Sequence, residues 1–156
     1  MCSTTVEECD VNPDEFNIED SFGYSLHHAS YIFKASLKDR FQTAGINVTP
    51  EEFVFLFLIP EEGATQNLLT RKSLKDKTTI TRLVDRLVSK GWINRVENDQ
   101  NRREQVINTT KAGRRIKQSL MQIAGEFVAD VTKGISAKEI EQSRKTLNQI
   151  TMNLMA

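Results

Sequence analysis

The side chains of this chain best suited to engage another molecule are cations and hydroxyls, and they crowd together: Lys75, Lys77, Thr78, Thr79, Thr81, Arg82 and Arg86, with Arg102 and Arg103 further on. Lysine and arginine at this density neutralise phosphate, arginine can give two hydrogen bonds to a guanine edge, and threonine hydroxyls reach phosphate or base. The chemistry on offer is recognition of double-stranded DNA. Bond breaking would need a placed nucleophile with its base and stabiliser, or a metal or phosphate loop. The sequence has no glycine-rich phosphate loop and no zinc-ligand spacing. His27 and His28 adjoin, so on a helix they point about 100° apart and cannot share a metal as an i, i+4 pair could. We therefore expect no catalytic residue, no metal and no cofactor.

Those side chains need a scaffold, and the sequence punctuates one clearly. Thr65 to Lys72 reads as a short helix with Thr65 at its N-cap and Leu68 and Leu69 for burial, and Thr65 joins the candidate DNA contacts. Ser73 to Lys75 is the expected turn. A second helix starts near Asp76 and sets Ile80, Leu83, Val84 and Leu87 at i, i+3, i+4 and i+7 as a buried stripe. Turning about 100° per residue from that stripe puts Thr78 and Arg82 opposite it, with Thr81 on the flank. Gly91 then supplies the left-handed C′ residue that ends a helix without a Cβ clash. Trp92 to Glu97 and Gln105 to Thr109 are short β-type runs around a polar tip, Asn98 to Glu104, that carries Arg102 and Arg103. A helix-turn-helix followed by such a hairpin is a winged helix, whose tip arginines suit a minor groove.

At this point the residues carry a family resemblance. The run TTITRLVDRLVSKGWINRVENDQNRREQVINTTKAGRRI resembles the recognition helix and wing of the MarR family of bacterial transcription regulators. In layout the resemblance extends from about Ile18 to the C-terminus, while its specific motifs lie between Thr65 and Arg115. Two positions depart from the family pattern. Asn101 stands where an Asp usually orients the second wing arginine, here Arg103, and Thr109-Thr110 replaces a Leu-Thr pair. The resemblance implies a ligand-responsive repressor acting as a homodimer on a pseudopalindromic operator. It also implies a small aromatic or phenolic effector, bound between the dimer helices and the DNA-binding lobe. Tyr24, His27, Tyr31, Phe53 and Phe57 are the candidate lining residues, although aromatics at helical spacing are more often packing. The peroxide-sensing branch of the family carries a cysteine where this chain has about Gly23 and Tyr24, which leaves Cys2 and Cys9 as bland surface thiols.

Charge supports the placement of the interface. The formal net charge is zero, yet residues 1–64 hold 3 basic against 12 acidic side chains and residues 71–115 hold 13 against 5. A locally basic motif is the electrostatic footprint of nucleic-acid binding, whatever the total. With 156 residues and 38% hydrophobic composition, the chain suits one compact domain or one subunit of an intertwined dimer. There is no apolar run of 18 residues and no basic-then-apolar leader pattern, so we expect a cytoplasmic protein without a membrane partner.

The predicted fold is mainly α with a small β-hairpin wing: a winged helix-turn-helix plus long N- and C-terminal dimerisation helices. Residues 1–15 form an acidic, disordered tail and 16–48 an N-terminal dimerisation helix whose apolar spacing runs from about Ile18 to Phe41. Residues 49–110 make the DNA-binding lobe, opened by the capping box Thr49-Pro50-Glu51-Glu52. Residues 111–156 make two C-terminal dimerisation helices, the first capped by Thr110 and the second opened by Ser136-Ala137-Lys138-Glu139. The alternative function class is a winged-helix module that contacts protein instead of DNA.

Overall fold

The computed structural model of the 156-residue chain describes residues 17–98 and 101–156, with the side chains of 98–104 excepted. The acidic tail, Cys2 and Cys9 lie outside the described residues. The described residues fall into two compact units, divided between Ser36 and Leu37.

In the described part of the first unit the expected single long helix is broken once. Asn17 caps a short 3₁₀ turn, Ile18–Asp20, and Ser21 is extended at φ −78° and ψ 145°. Helix α1, Phe22–Thr43, starts afresh there, the Ser21 hydroxyl accepting from the Tyr24 N–H at 3.1 Å. Apolar periodicity runs through this break because a serine cap interrupts the backbone without interrupting the spacing of Ile18, Phe22 and Leu26. Those three side chains, with Tyr31, Ile32 and Phe33, are exposed.

The second unit begins with the last turns of α1, where Leu37 and Phe41 are buried. Helix α2 (Pro50–Leu58) opens with a complete capping box. Thr49 Oγ1 accepts from the Glu52 N–H at 3.2 Å, and Glu52 Oε2 accepts from the Thr49 N–H at 3.0 Å. Strand β1 (Ala64–Thr65) leads into α3 (Gln66–Ser73), and α4 (Lys77–Ser89) follows. Strands β2 (Ile93–Asn98) and β3 (Asn101–Thr109) form the hairpin, then come α5 (Lys111–Val131) and α6 (Ala137–Met155). The sheet is antiparallel in the order β1-β3-β2, with Ala64 opposite Ile107 and Arg95 opposite the same residue from the other side.

The core lies where α2, α3, α4, α5 and the sheet converge. Phe55, Leu56, Ile59, Leu69, Ile80, Leu87, Ile93, Ile107 and Leu120 are almost wholly enclosed. The stripe of α4 is buried as its spacing predicts, all four of Ile80, Leu83, Val84 and Leu87. At about 1.5–3 kcal/mol of transfer free energy per enclosed aliphatic side chain, that stripe contributes roughly 6–12 kcal/mol before chain entropy is subtracted. Gly91 adopts φ 70° immediately after α4. Helix α6 has no buried residue, and Ile140, Leu147, Met152, Leu154 and Met155 are exposed along it. No described helix is long and apolar enough to cross a membrane.

Candidate nucleic-acid interface

Helices α3 and α4 form the helix-turn-helix, joined through Leu74, which takes the left-handed conformation at φ 54°. A non-glycine residue there costs about 1–3 kcal/mol and persists only where the surroundings hold it. Here both flanking helices do so. Thr65 caps α3, its hydroxyl oxygen accepting from the Leu68 N–H at 3.3 Å. Asp76 caps α4, accepting from the Thr79 N–H at 2.8 Å and from the Thr79 hydroxyl at 2.6 Å. The Thr79 hydroxyl and N–H hold the Asp76 carboxyl below the usual carboxylate range. Gln66 Nε2 donates to Thr81 Oγ1 at 2.8 Å, a bond from the first turn of α3 to α4 that fixes one helix against the other.

These bonds sort the sequence-predicted contacts. Lys75, Lys77, Thr78 and Arg82 are exposed, and among the described residues none of the three cations makes an ion pair. Thr65, Thr79 and Thr81 are half-buried with their hydroxyls already engaged, two in caps and one between helices. Arg86 is committed through one edge only: its Nε donates to Glu52 Oε1 at 3.0 Å. Arg102 and Arg103 lie on β3, and their side chains, like the Asn101 departure, fall outside the described residues.

The wing is tied to α4 by an ion pair from Arg95 on β2 to Asp85. Its far end is held by Thr110, which caps α5: the hydroxyl accepts from the Gly113 N–H at 3.0 Å and faces the Gly91 and Trp92 carbonyl oxygens at 2.7 and 3.1 Å. Thr109, beside it, buries a hydroxyl that has no hydrogen-bond partner among the described residues. The Arg95–Asp85 pair and the Thr110 bond to Gly91, just past the end of α4, thus fix the hairpin relative to the helix whose exposed face carries Arg82.

Sequence reasoning took Glu52 only as a helix cap. The structure gives it far more, because its carboxylate is 1% exposed and takes Lys90 Nζ at 2.7 Å as well as Arg86. Burial pushes its pKa up, but the Lys90 and Thr49 hydrogen bonds and the Lys90 and Arg86 charges outweigh that and hold it below the usual range. The signal in the sequence was the second of two adjacent acids, Glu51 and Glu52, set directly against the apolar run Phe53 to Ile59.

A winged helix of this geometry, with a doubly capped helix-turn-helix and a hairpin braced against it, can be compared with known proteins. Residues 48–105 match the MarR family model. The winged-helix lobe is of the MarR family. The chain is 27% identical over 107 residues to the multiple antibiotic resistance protein MarR of Escherichia coli K12, an alignment covering 67% of this chain and 74% of that protein. A probable transcriptional regulator from Pseudomonas aeruginosa has a similar structure, at a TM-score of 0.78 and 26% identity over 86% of this chain and 99% of the other. A MarR variant from E. coli complexed with operator DNA matches at a TM-score of 0.75 and 25% identity, covering 82% and 91% of the two chains.

The candidate effector residues divide between the two units. In the first, Tyr24 stacks on His28 with ring centroids 5.5 Å apart, while His27 and Tyr31 are exposed. In the MarR-family lobe, Phe53 and Phe57 are half-buried, 4.9 Å apart, and Phe53 lies 5.3 Å from Phe41. A groove of about 460 Å³ opens beside the start of α5, lined by Glu61, Thr109, Arg114, Lys117 and Gln118. None of the five candidates lines it. Among the described residues no group of three or more His, Cys, Asp or Glu could hold a metal.

Proposed function

We propose that this chain is a homodimeric, ligand-responsive transcription repressor that reads a pseudopalindromic operator. Helix α4 of each subunit enters one of two successive major grooves, about 34–36 Å apart, and each wing follows a flanking minor groove. The observation that carries this reading is the exposed face of α4. Its opposite stripe is spent entirely on the core, and at the capped start of the helix Thr78 is exposed while Lys75, Lys77 and Arg82 make no ion pair among the described residues. Arg82 contacts a base edge, Lys75 and Lys77 contact phosphate, and Arg86, Arg102 and Arg103 extend the phosphate and groove contacts. Thr65, Thr79 and Thr81 hold the motif rigid, their hydroxyls being engaged already.

Dimerisation is supported by the exposed apolar side chains of α6 and, separately, of the N-terminal part of α1, which are more than a lone subunit keeps in water. The dimer regions are residues 16–48 and 111–156, flanking the 49–110 lobe. An aromatic or phenolic effector, as the MarR resemblance implies, acts by favouring a dimer whose two recognition helices no longer match the half-site spacing. The test is affinity for duplex DNA from its own upstream region across a salt series, with and without phenolic ligands. Affinity falling steeply with salt is expected. A chain indifferent to duplex DNA would return the protein-contact alternative.

A further inference from the structure

Glu52 poses a question that helix capping does not answer. A neutral glutamine would close the same capping box with Thr49, whereas a carboxylate buried to 1% exposure carries a desolvation cost that ion pairing often fails to recover. Two cations at the end of α4, Arg86 in its last turn and the C-cap residue Lys90, at i and i+4, converge on it. They are held differently. Lys90 is turned inward, its side chain 24% exposed, its Nζ also 2.7 Å from the Asn47 carbonyl oxygen and 5.0 Å from the centre of the Trp92 ring. Arg86 is 53% exposed and spends only its Nε on the carboxylate, so among the described residues its two terminal nitrogens have no partner. One carboxylate facing two cations leaves a full positive charge over, and that charge sits on the exposed one.

We propose that Glu52 is a positioning residue for DNA binding: it grips Arg86 by its inner edge and presents the free edge of the guanidinium, in a fixed plane, to a backbone phosphate. A planar guanidinium held this way loses little rotamer entropy when it engages phosphate with its two remaining groups, which an untethered arginine or a lysine cannot match. The inference rests on the DNA-binding reading of α4 and adds to it that an acidic residue on α2, outside the helix-turn-helix, raises affinity for a polyanion.

That claim has a sign opposite to simple electrostatics, which makes it testable. Glu52→Gln keeps the capping acceptor and the volume but deletes a negative charge, so charge alone predicts tighter DNA binding. The experiment measures Kd for a fixed mixed-sequence duplex of roughly 30 base pairs, since phosphate contacts act on every sequence. Wild type, Glu52→Gln, Arg86→Ala, Arg86→Lys and the Glu52→Gln/Arg86→Ala double variant are compared at several salt concentrations. Glu52→Gln is expected to weaken binding about tenfold, the scale of one charge-assisted hydrogen-bonded contact, and the double variant to bind no worse than Arg86→Ala. Losses that add in the double variant, or a folded Glu52→Gln that binds as tightly as wild type, would overturn the proposal. If Glu52→Gln does not fold, Arg86→Lys decides, because it keeps the charge and leaves Glu52 in place. Weakening close to that of Arg86→Ala supports positioning, and binding within about twofold of wild type refutes it. Wild type failing to bind the duplex would remove the DNA-binding reading itself, a result distinct from any of these.

Discussion

Replacing Gly113 by alanine should strain the junction between the wing and α5. A Cβ built on Gly113 falls 1.9 Å from the Trp92 carbonyl oxygen and 2.8 Å from Thr109 Cγ2. Contacts under about 3.0 Å do not occur, so something must move by about an ångström, and the oxygen in the way is backbone. It is also in use, accepting from the Thr110 N–H at 2.9 Å and facing the Thr110 hydroxyl. Overpacking of this kind costs about 1–3 kcal/mol, and weakening one to two hydrogen bonds adds about 1 kcal/mol each. We expect Gly113→Ala to lose about 3 kcal/mol, or a fall in Tm of about 6–12 °C for a chain of this size. Gly125, on the same helix, has nothing within 4 Å of its Cβ position, and Gly125→Ala should gain about 0.5–1 kcal/mol from helix propensity. Thermal and urea denaturation of both variants reads the difference. A Gly113→Ala protein that melts within about 1 °C of wild type would refute the packing argument at Trp92.

Thr109→Val should stabilise the chain by about 1 kcal/mol in the same denaturation assay, because it removes a buried hydroxyl that has no partner among the described residues; a loss of stability would mean that the hydroxyl is satisfied. Glu52, with its pKa depressed in the folded state, contributes stability that is present above its unfolded value and is lost as pH falls through its folded one. Wild-type stability should therefore drop more steeply than that of Glu52→Gln below about pH 5, and parallel acid limbs in the two proteins would contradict this. Leu147→Glu places charge on an exposed apolar stretch of α6 and should give a monomer or an insoluble chain by sedimentation, whereas a soluble DNA-binding dimer would reject the interface assignment.

Local chemistry was legible in the sequence wherever cause and effect lie within one turn. The caps at Thr49, Thr65, Thr110 and Ser136, and the stop at Gly91, depend on residues at most four positions away, and all appear as read. The buried stripe of α4 was legible because periodicity encodes burial directly. What escaped depends on partners distant in sequence or on a change too small for periodicity. The two-residue strand β1 exists only because β3, some forty positions on, offers it a ladder. The restart at Ser21 leaves the apolar spacing intact. Thr79 and Thr81 are candidate DNA contacts by residue type and position, and only the packed structure shows their hydroxyls turned to Asp76 and Gln66. Glu52 is 34 positions from Arg86, so its second role could not be read from a capping signature.

The central claim, that the outer face of α4 reads bases and the rest of the basic surface reads phosphate, is tested most directly by one substitution on two DNAs. Arg82 is exposed opposite the buried stripe and makes no ion pair among the described residues, which leaves its fork free for a guanine edge. Arg82→Ala should cost about 1–3 kcal/mol on a duplex selected by the wild-type protein and much less on a random duplex, measured across the same salt series. Arg103→Ala, included alongside, should weaken both DNAs alike and flatten the slope of log K against log salt by roughly one unit per subunit. If Arg82→Ala instead weakens selected and random DNA equally, α4 does not read sequence through this face.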